Sequence, residues 1–248
     1  MFDIKTASAI IAMREGGKIL AKIVRELAHF AKAGMTTKAL DREAERLMTE
    51  YDVIPSFKGY RGFPAVICTS VNEEIVHAIP GERVLMDGDL LKIDCGIIHR
   101  GLHTDHAVAV LIGTPSPEVR KFSGHVEQAM YKGIEQVKPG NKIGDIGSAV
   151  QHYVESQGYS IVRDFIGHGI GKNLHEPPEI PNYGKKGHGP ALIPGMTICI
   201  EPIVAMGGRY AKTLPDGWTA VTQDGSFACQ FEHTILVTEN GHEILTKV

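Results

Sequence analysis

Apolar residues recur at three-to-four spacing between Thr6 and Ala33, at Ile10, Ile11, Leu20, Ile23, Val24, Leu27 and Phe30. That period gathers them on one stripe of a long helix, and Gly34 supplies the terminator. A second amphipathic helix is predicted over Thr37 to Tyr51, with Thr36 or Thr37 as amino cap and Leu40, Ala44, Leu47 and Met48 as its buried stripe. From Gly88 to Asp94, and again from Gly195 to Glu201, the pattern changes to short β-like apolar runs, each ending on a carboxylate.

These segments recur at a nearly fixed offset. Lys32-Ala33-Gly34 has a counterpart in Lys138-Pro139-Gly140, 106 positions later. Leu40 then pairs with Ile146, Ala44 with Val150 and Asp52 with Gly158, while Gly88-Asp89-Leu90-Leu91-Lys92-Ile93-Asp94 matches Gly195-Met196-Thr197-Ile198-Cys199-Ile200-Glu201 at an offset of 107. Helix-turn-strand units share composition, so the match by itself fits either duplication or coincidence; the equivalent carboxylates favour duplication. The expected architecture is α/β (α+β): one catalytic domain over residues 1–248, in two pseudo-symmetric halves of about 1–120 and 121–248. A strongly curved, mostly antiparallel sheet would carry helices on its outside, and a pseudo-twofold axis would bring Asp94 and Glu201 together.

Composition narrows the function classes. With 248 residues and 43% hydrophobic content the chain can bury a large core. The formal charge is -3 and no run of like charge stands out, which argues against nucleic acid or a membrane surface as partner. Met1 to Arg14 is interrupted by Asp3, Lys5 and Arg14, unlike a secretory signal, and no apolar run is long enough to span a bilayer, so a cytoplasmic location is expected. Cys68, Cys95, Cys199 and Cys229 form no Cys-x-x-Cys pair; free thiols are the expectation.

Five residues suit metal ligation: Asp94, Asp105, His168, Glu201 and Glu232. Singly, each has an ordinary explanation as a turn cap, a strand end or a solvated side chain. Asp94 and Glu201, however, close apolar runs, where an unpaired carboxylate is costly to bury. Four carboxylates and one imidazole form an oxygen-rich set that would balance two divalent cations about 3.5–4 Å apart. His168 lies in Gly167-His168-Gly169-Ile170-Gly171, where the glycines permit close backbone approach. His99, His103 and His106 are expected to be incidental polar residues of a hairpin. Cys199 would share a strand face with Glu201, pointing either to the site or into the core.

Val71-Asn72-Glu73 continuing to His77-Ala78-Ile79-Pro80, Gly167-His168-Gly169-Ile170-Gly171 continuing to His175-Glu176-Pro177, Ile200-Glu201-Pro202, and Gln230-Phe231-Glu232-His233-Thr234 occur in this order. In these motifs, and in the spacing of Asp94 and Asp105, nearly the whole chain resembles the type I methionine aminopeptidases. The resemblance implies a pita-bread fold and two divalent ions (Co, Mn, Fe or Zn), with Asp94 on one, Asp105 and Glu232 bridging, and His168 and Glu201 on the other. It implies that His77 contacts the scissile amide nitrogen, His175 the carbonyl oxygen, and Glu201 accepts a proton. The methionine pocket would be lined by Tyr60, Phe63, Cys68, Leu174 and Trp218, with His77 and His175 at the scissile bond. Thr104, His106 and Ala78 depart from the family's usual residues, while the ligands are intact. The implied activity is release of amino-terminal methionine from nascent polypeptides with a small second residue, by a monomer. Prolidase-like enzymes share the fold and ligands but usually carry an extra amino-terminal domain, for which this chain has no room. A non-catalytic binding module would be expected to have lost ligands.

Overall fold

The computed structural model describes residues 2–247. Helix α1 runs over Ala7–Phe30 and α2 over Thr37–Glu50, capped by the Thr6 and Thr36 hydroxyls, which accept from the N–H groups of Ala9 and Ala39. The first helix is shorter than its apolar pattern suggests. It stops at Ala31, and Gly34, at φ +89°, belongs to the turn beyond. Short strands β1 (Ile54–Pro55), β2 (Cys68–Val71) and β3 (Glu74–Val76) lead to a long hairpin, β4 (Leu90–His99) with β5 (Leu102–Leu111). Helices α3 (Pro117–Ile134) and α4 (Ile143–Ser156) follow. The remaining strands are β6 (Ser160–Ile161), β7 (Gly167–Gly169), β8 (Glu176–Ile180), β9 (Thr197–Ile200), β10 (Ile203–Ala205), β11 (Ala211–Thr213), β12 (Ala220–Thr222), β13 (Ala228–Gln230), β14 (Glu232–Thr238) and β15 (Gly241–Ile244).

Nine strands form the main antiparallel sheet, in the order β1-β4-β5-β14-β9-β7-β8, with β2 added beside β4 and β15 beside β14. Its centre is the β5–β14 seam, where Glu232 faces Ala107. Two buried clusters flank that seam. One packs Leu20, Ile23, Val24 and Leu27 of α1 and Leu40, Ala44 and Leu47 of α2 against Leu91, Ile93 and Cys95. The other packs Phe122, Val126 and Met130 of α3 and Ile146 and Val150 of α4 against Ile198 and Ile200. Burying each of the leucine, isoleucine, valine, phenylalanine and methionine side chains contributes about 1.5–3 kcal/mol.

The sequence offset reappears in hydrogen bonds. Gly34 N–H donates to the Leu85 carbonyl and Gly140 N–H to that of Leu192; Thr37 donates to Arg83, and Ile143 to Pro190. Bridges Thr36–Val84 and Lys142–Ala191 complete the correspondence. Among the described residues no helix is long and apolar enough to cross a membrane.

Candidate metal centre

Strand pairing explains why five distant residues converge. In the β4–β5 hairpin, Asp94 pairs with Ala107 and Gly96 with Asp105, so the two aspartates lie one step apart on adjacent strands. Glu232 also pairs with Ala107, from the opposite edge of β5. Glu201 follows the last residue of β9, and β9 joins β14 to β7, which carries His168. A Cβ at Gly167 would collide with the Cys199 carbonyl and one at Gly169 with that of Pro177, so both glycines beside His168 are required by strand proximity.

One ligand atom each from Asp94, Asp105 and Glu232 lie within 4.8 Å of one another, and the same holds for His168, Cys199 and Glu232. All five predicted ligands are buried. Asp94 Oδ1 and Glu232 Oε1 are buried without a hydrogen-bond partner. Burial raises the pKa of Asp94 to about 7. Burial, then repulsion among the carboxylates, pushes Asp105, Glu201 and Glu232 well above the usual range. Burial also lowers His168 to about 4, leaving it neutral. Its Nδ1–H donates to the Gly169 carbonyl at 2.9 Å, so Nε2 presents a lone pair, 3.7 Å from Glu201 Oε1. A lone pair facing carboxylate oxygens, beside acceptors with no donor, fits a divalent cation in chemistry and charge.

These side chains floor a cavity of about 400 Å³. Its lining brings together all twelve predicted ligand, catalytic and pocket residues: Tyr60, Phe63, Cys68, His77, Asp94, Asp105, His168, Leu174, His175, Glu201, Trp218 and Glu232. His77, half-buried, follows β3 with φ +60°, an uncommon conformation for a non-glycine residue, and its ring meets Phe165 edge-on at 5.4 Å. Burial lowers His77 to about 4; partial burial, then the neighbouring His168 and His77, lowers His175 to about 3. Both rings are neutral at pH 7.

The sequence pattern of metallopeptidase family M24 matches residues 11–239. The chain belongs to that family. It is 48% identical to methionine aminopeptidase 1 of Bacillus subtilis over 248 residues, covering 100% of each chain. It is 49% identical to the methionine aminopeptidase of Clostridium acetobutylicum over 247 residues, covering 99% of each. The crystal structure of the Thermotoga maritima methionine aminopeptidase superposes with a TM-score of 0.98 at 42% identity, covering 100% of both chains. The prolidase of Pyrococcus furiosus, at 24% identity and a TM-score of 0.81 over 99% of this chain and 65% of that one, shares the fold.

This M24 chain surrounds its carboxylates with groups that the sequence reading did not assign. Gln230 Nε2 donates to Glu201 Oε2 at 3.3 Å and, more weakly, to Asp94 Oδ2 at 3.5 Å, linking the carboxylate after β9 to the one on β4. Thr234 Oγ1 donates to the Asp105 carbonyl at 2.8 Å, and Asn182 donates to that of Glu201 at 2.9 Å. Phe57, Arg61, Asp164, Phe165, Ile166 and Ile203 also line the cavity. Gln230 stands two residues before Glu232, and that proximity was the available signal. The hairpin histidines depart from expectation at one position. His99 pairs with Glu15 and His103 with Ser56, but His106 is buried, donates to the Glu232 carbonyl and stacks on His233 at 4.5 Å. Pairing with Cys95 sets His106 well along the hairpin from His99 on the same face, and His103 lies on the opposite face, so the three rings do not converge.

Proposed function

We propose that this M24 chain is a metal-dependent aminopeptidase that releases methionine from the amino ends of polypeptides whose second residue is small. The observation that carries this reading is the convergence of neutral His168 and four buried, mutually repelling carboxylates on a cavity whose wall is Phe63, Leu174 and Trp218. We read the chain as a single catalytic unit of two halves, acting as a monomer on nascent chains in the cytoplasm.

Asp94, Asp105, His168, Glu201 and Glu232 would hold two divalent ions, with cobalt, manganese, iron and zinc all suited to the donor set. When bound, such ions supply the positive charge that these carboxylates lack and lower the pKa of a water nucleophile toward 7. Glu201, a carboxylate at the floor of the cavity, would accept the proton released on attack. His175 would donate one N–H to the carbonyl oxygen as it gains charge, and His77 would contact the amide nitrogen. The apolar wall would take the methionine side chain and exclude water from it.

The test is release of residues from Met-Ala-Ser, Leu-Ala-Ser and Ala-Pro-Ser by protein reconstituted with each ion. Methionine from Met-Ala-Ser is the expected main product. Preferential cleavage of Ala-Pro-Ser would move the chain to a prolidase-like activity, and no cleavage of any peptide would leave a binding role.

A further inference from the structure

Lys5 lies in the extended segment before α1, its N–H donating to the Gly195 carbonyl at 2.8 Å. Its ammonium donates to Glu176 at 2.9 Å and to Asp3 at 2.7 Å. With side-chain exposures of 3% and 9%, Lys5–Glu176 is the most buried ion pair among the described residues. The other Glu176 oxygen accepts from the Asn173 N–H at 2.9 Å, and the Gly171 N–H donates to the Asn173 carbonyl at 3.1 Å. Gly171 packs so closely on the lysine that a Cβ there would collide with its Cε and Nζ. One side chain thus grips both ends of the 171–176 turn, and His175 sits on that turn.

His175 is itself exposed at the cavity rim, beside the His168 ring at 4.2 Å. The Tyr60 hydroxyl, 2.9 Å from Nδ1, anchors one edge of the ring, and the position of the ring as a whole follows the turn that carries it. Removing the ammonium would leave Glu176 as an unpaired buried carboxylate, which would swing toward water and take His175 with it.

We propose that Lys5 is a positioning residue for His175: by pairing with Glu176 it fixes the 171–176 turn, so the amino-terminal segment completes the site from across the molecule. This rests on the role given to His175 above. A small displacement of a transition-state donor is expensive in rate, with about 1 Å able to cost on the order of a hundredfold.

The test is a double-mutant cycle on the full chain loaded with divalent metal, using Met-Ala-Ser. Lys5→Met should lower kcat roughly tenfold with KM and bound metal unchanged. Lys5→Met/Glu176→Gln, which leaves no orphaned charge and serves if the single variant does not fold, loses only the tether and should show a smaller but measurable loss in kcat. In a His175→Ala background, Lys5→Met should alter the rate by less than about twofold, because the group it positions is gone. An undiminished kcat in the folded variants, or an equal loss in the His175→Ala background, overturns the proposal. Failure of the wild-type chain to release methionine, or full activity in His175→Ala, would instead overturn the reading on which it rests.

Discussion

The Tyr60 hydroxyl lies 2.9 Å from Nδ1 of His175, with the two rings 5.3 Å apart and tilted by 30°. If the hydroxyl donates, the imidazole proton must sit on Nε2, the tautomer needed to donate toward a carbonyl oxygen. Tyr60→Phe removes that donor while keeping the ring. It should lower kcat about tenfold, and His175→Ala about a hundredfold or more, each with full metal content. Measuring metal beside rate separates the roles, since loss of metal in His175→Ala would make this residue a ligand.

Metal removal should reveal itself in the pH dependence of stability. Asp94, at about 7, and the three other raised carboxylates favour the protonated form when folded, so they lose stability as pH rises above ordinary carboxylate values. The buried histidines act oppositely. His77, His106 and His168, all lowered to about 4, contribute stability that is complete above 6.5 and lost as pH falls toward their folded values. Between pH 6.5 and 8 the histidines no longer vary, and Lys92, lowered to about 8, stays charged over most of this range in both states. Over that window the Tm of chelated protein should fall with rising pH, while metal-loaded protein should show little slope. A flat chelated profile would mean that neither burial nor mutual repulsion raises these carboxylates.

Much of this site was legible because it violates ordinary patterning. Asp94 and Glu201 interrupt apolar runs, which physical chemistry tolerates only with a compensating charge. The α2 and α4 helices were legible as a repeat because both start from a turn held by an isolated bridge to an equivalent extended segment, Thr36 to Val84 and Lys142 to Ala191. Helix α3 carries no clear apolar period in the sequence even though Ser116 caps it through the Val119 N–H and Pro117 opens it. Its buried stripe is interrupted by Ser123 and Gly133, which weakens the period. Tyr60 and Lys5 gain their contacts to His175 and Glu176 from far away in the chain, as in the 171-residue separation of Lys5 and Glu176. Local spacing carries no trace of such contacts.

The cysteines should be inert in the native protein. All four are buried and free, and burial pushes Cys68, Cys95 and Cys199 well above the usual thiol range and Cys229 up to about 12. Cys199 does share the site, its Sγ lying 3.7 Å from Thr234 Oγ1, yet little thiolate is available to react. Iodoacetamide should therefore label native protein slowly, and all four thiols only after denaturation, as read by mass spectrometry. Rapid labelling of Cys199 that bound metal blocks would show that the cavity opens and activates this thiol.

Substrate preference should depend on Trp218. Its ring meets Phe63 edge-on at 5.1 Å, and buried Cys68 and Leu174 belong to the same apolar cluster. Asp216 fixes the loop: Oδ1 accepts from the N–H groups of Trp218 and Thr219, each at 2.9 Å, and Oδ2 accepts from the Thr219 hydroxyl at 2.6 Å. A held aromatic wall beside a thiol suits an unbranched thioether. Shape alone separates side chains that differ by one methylene by only about 10–200-fold, so slow cleavage of norleucine or leucine peptides is expected from the native chain. Trp218→Ala should raise KM for Met-Ala-Ser by at least about tenfold and narrow the preference for methionine over leucine, since a widened cavity no longer distinguishes branched from unbranched side chains. The second residue is a separate matter, because Trp218 is assigned to the methionine side chain alone. Met-Lys-Ser should remain a poor substrate in both proteins. If Trp218→Ala retains the native KM and the native methionine-to-leucine ratio, the methionine side chain binds elsewhere in the cavity.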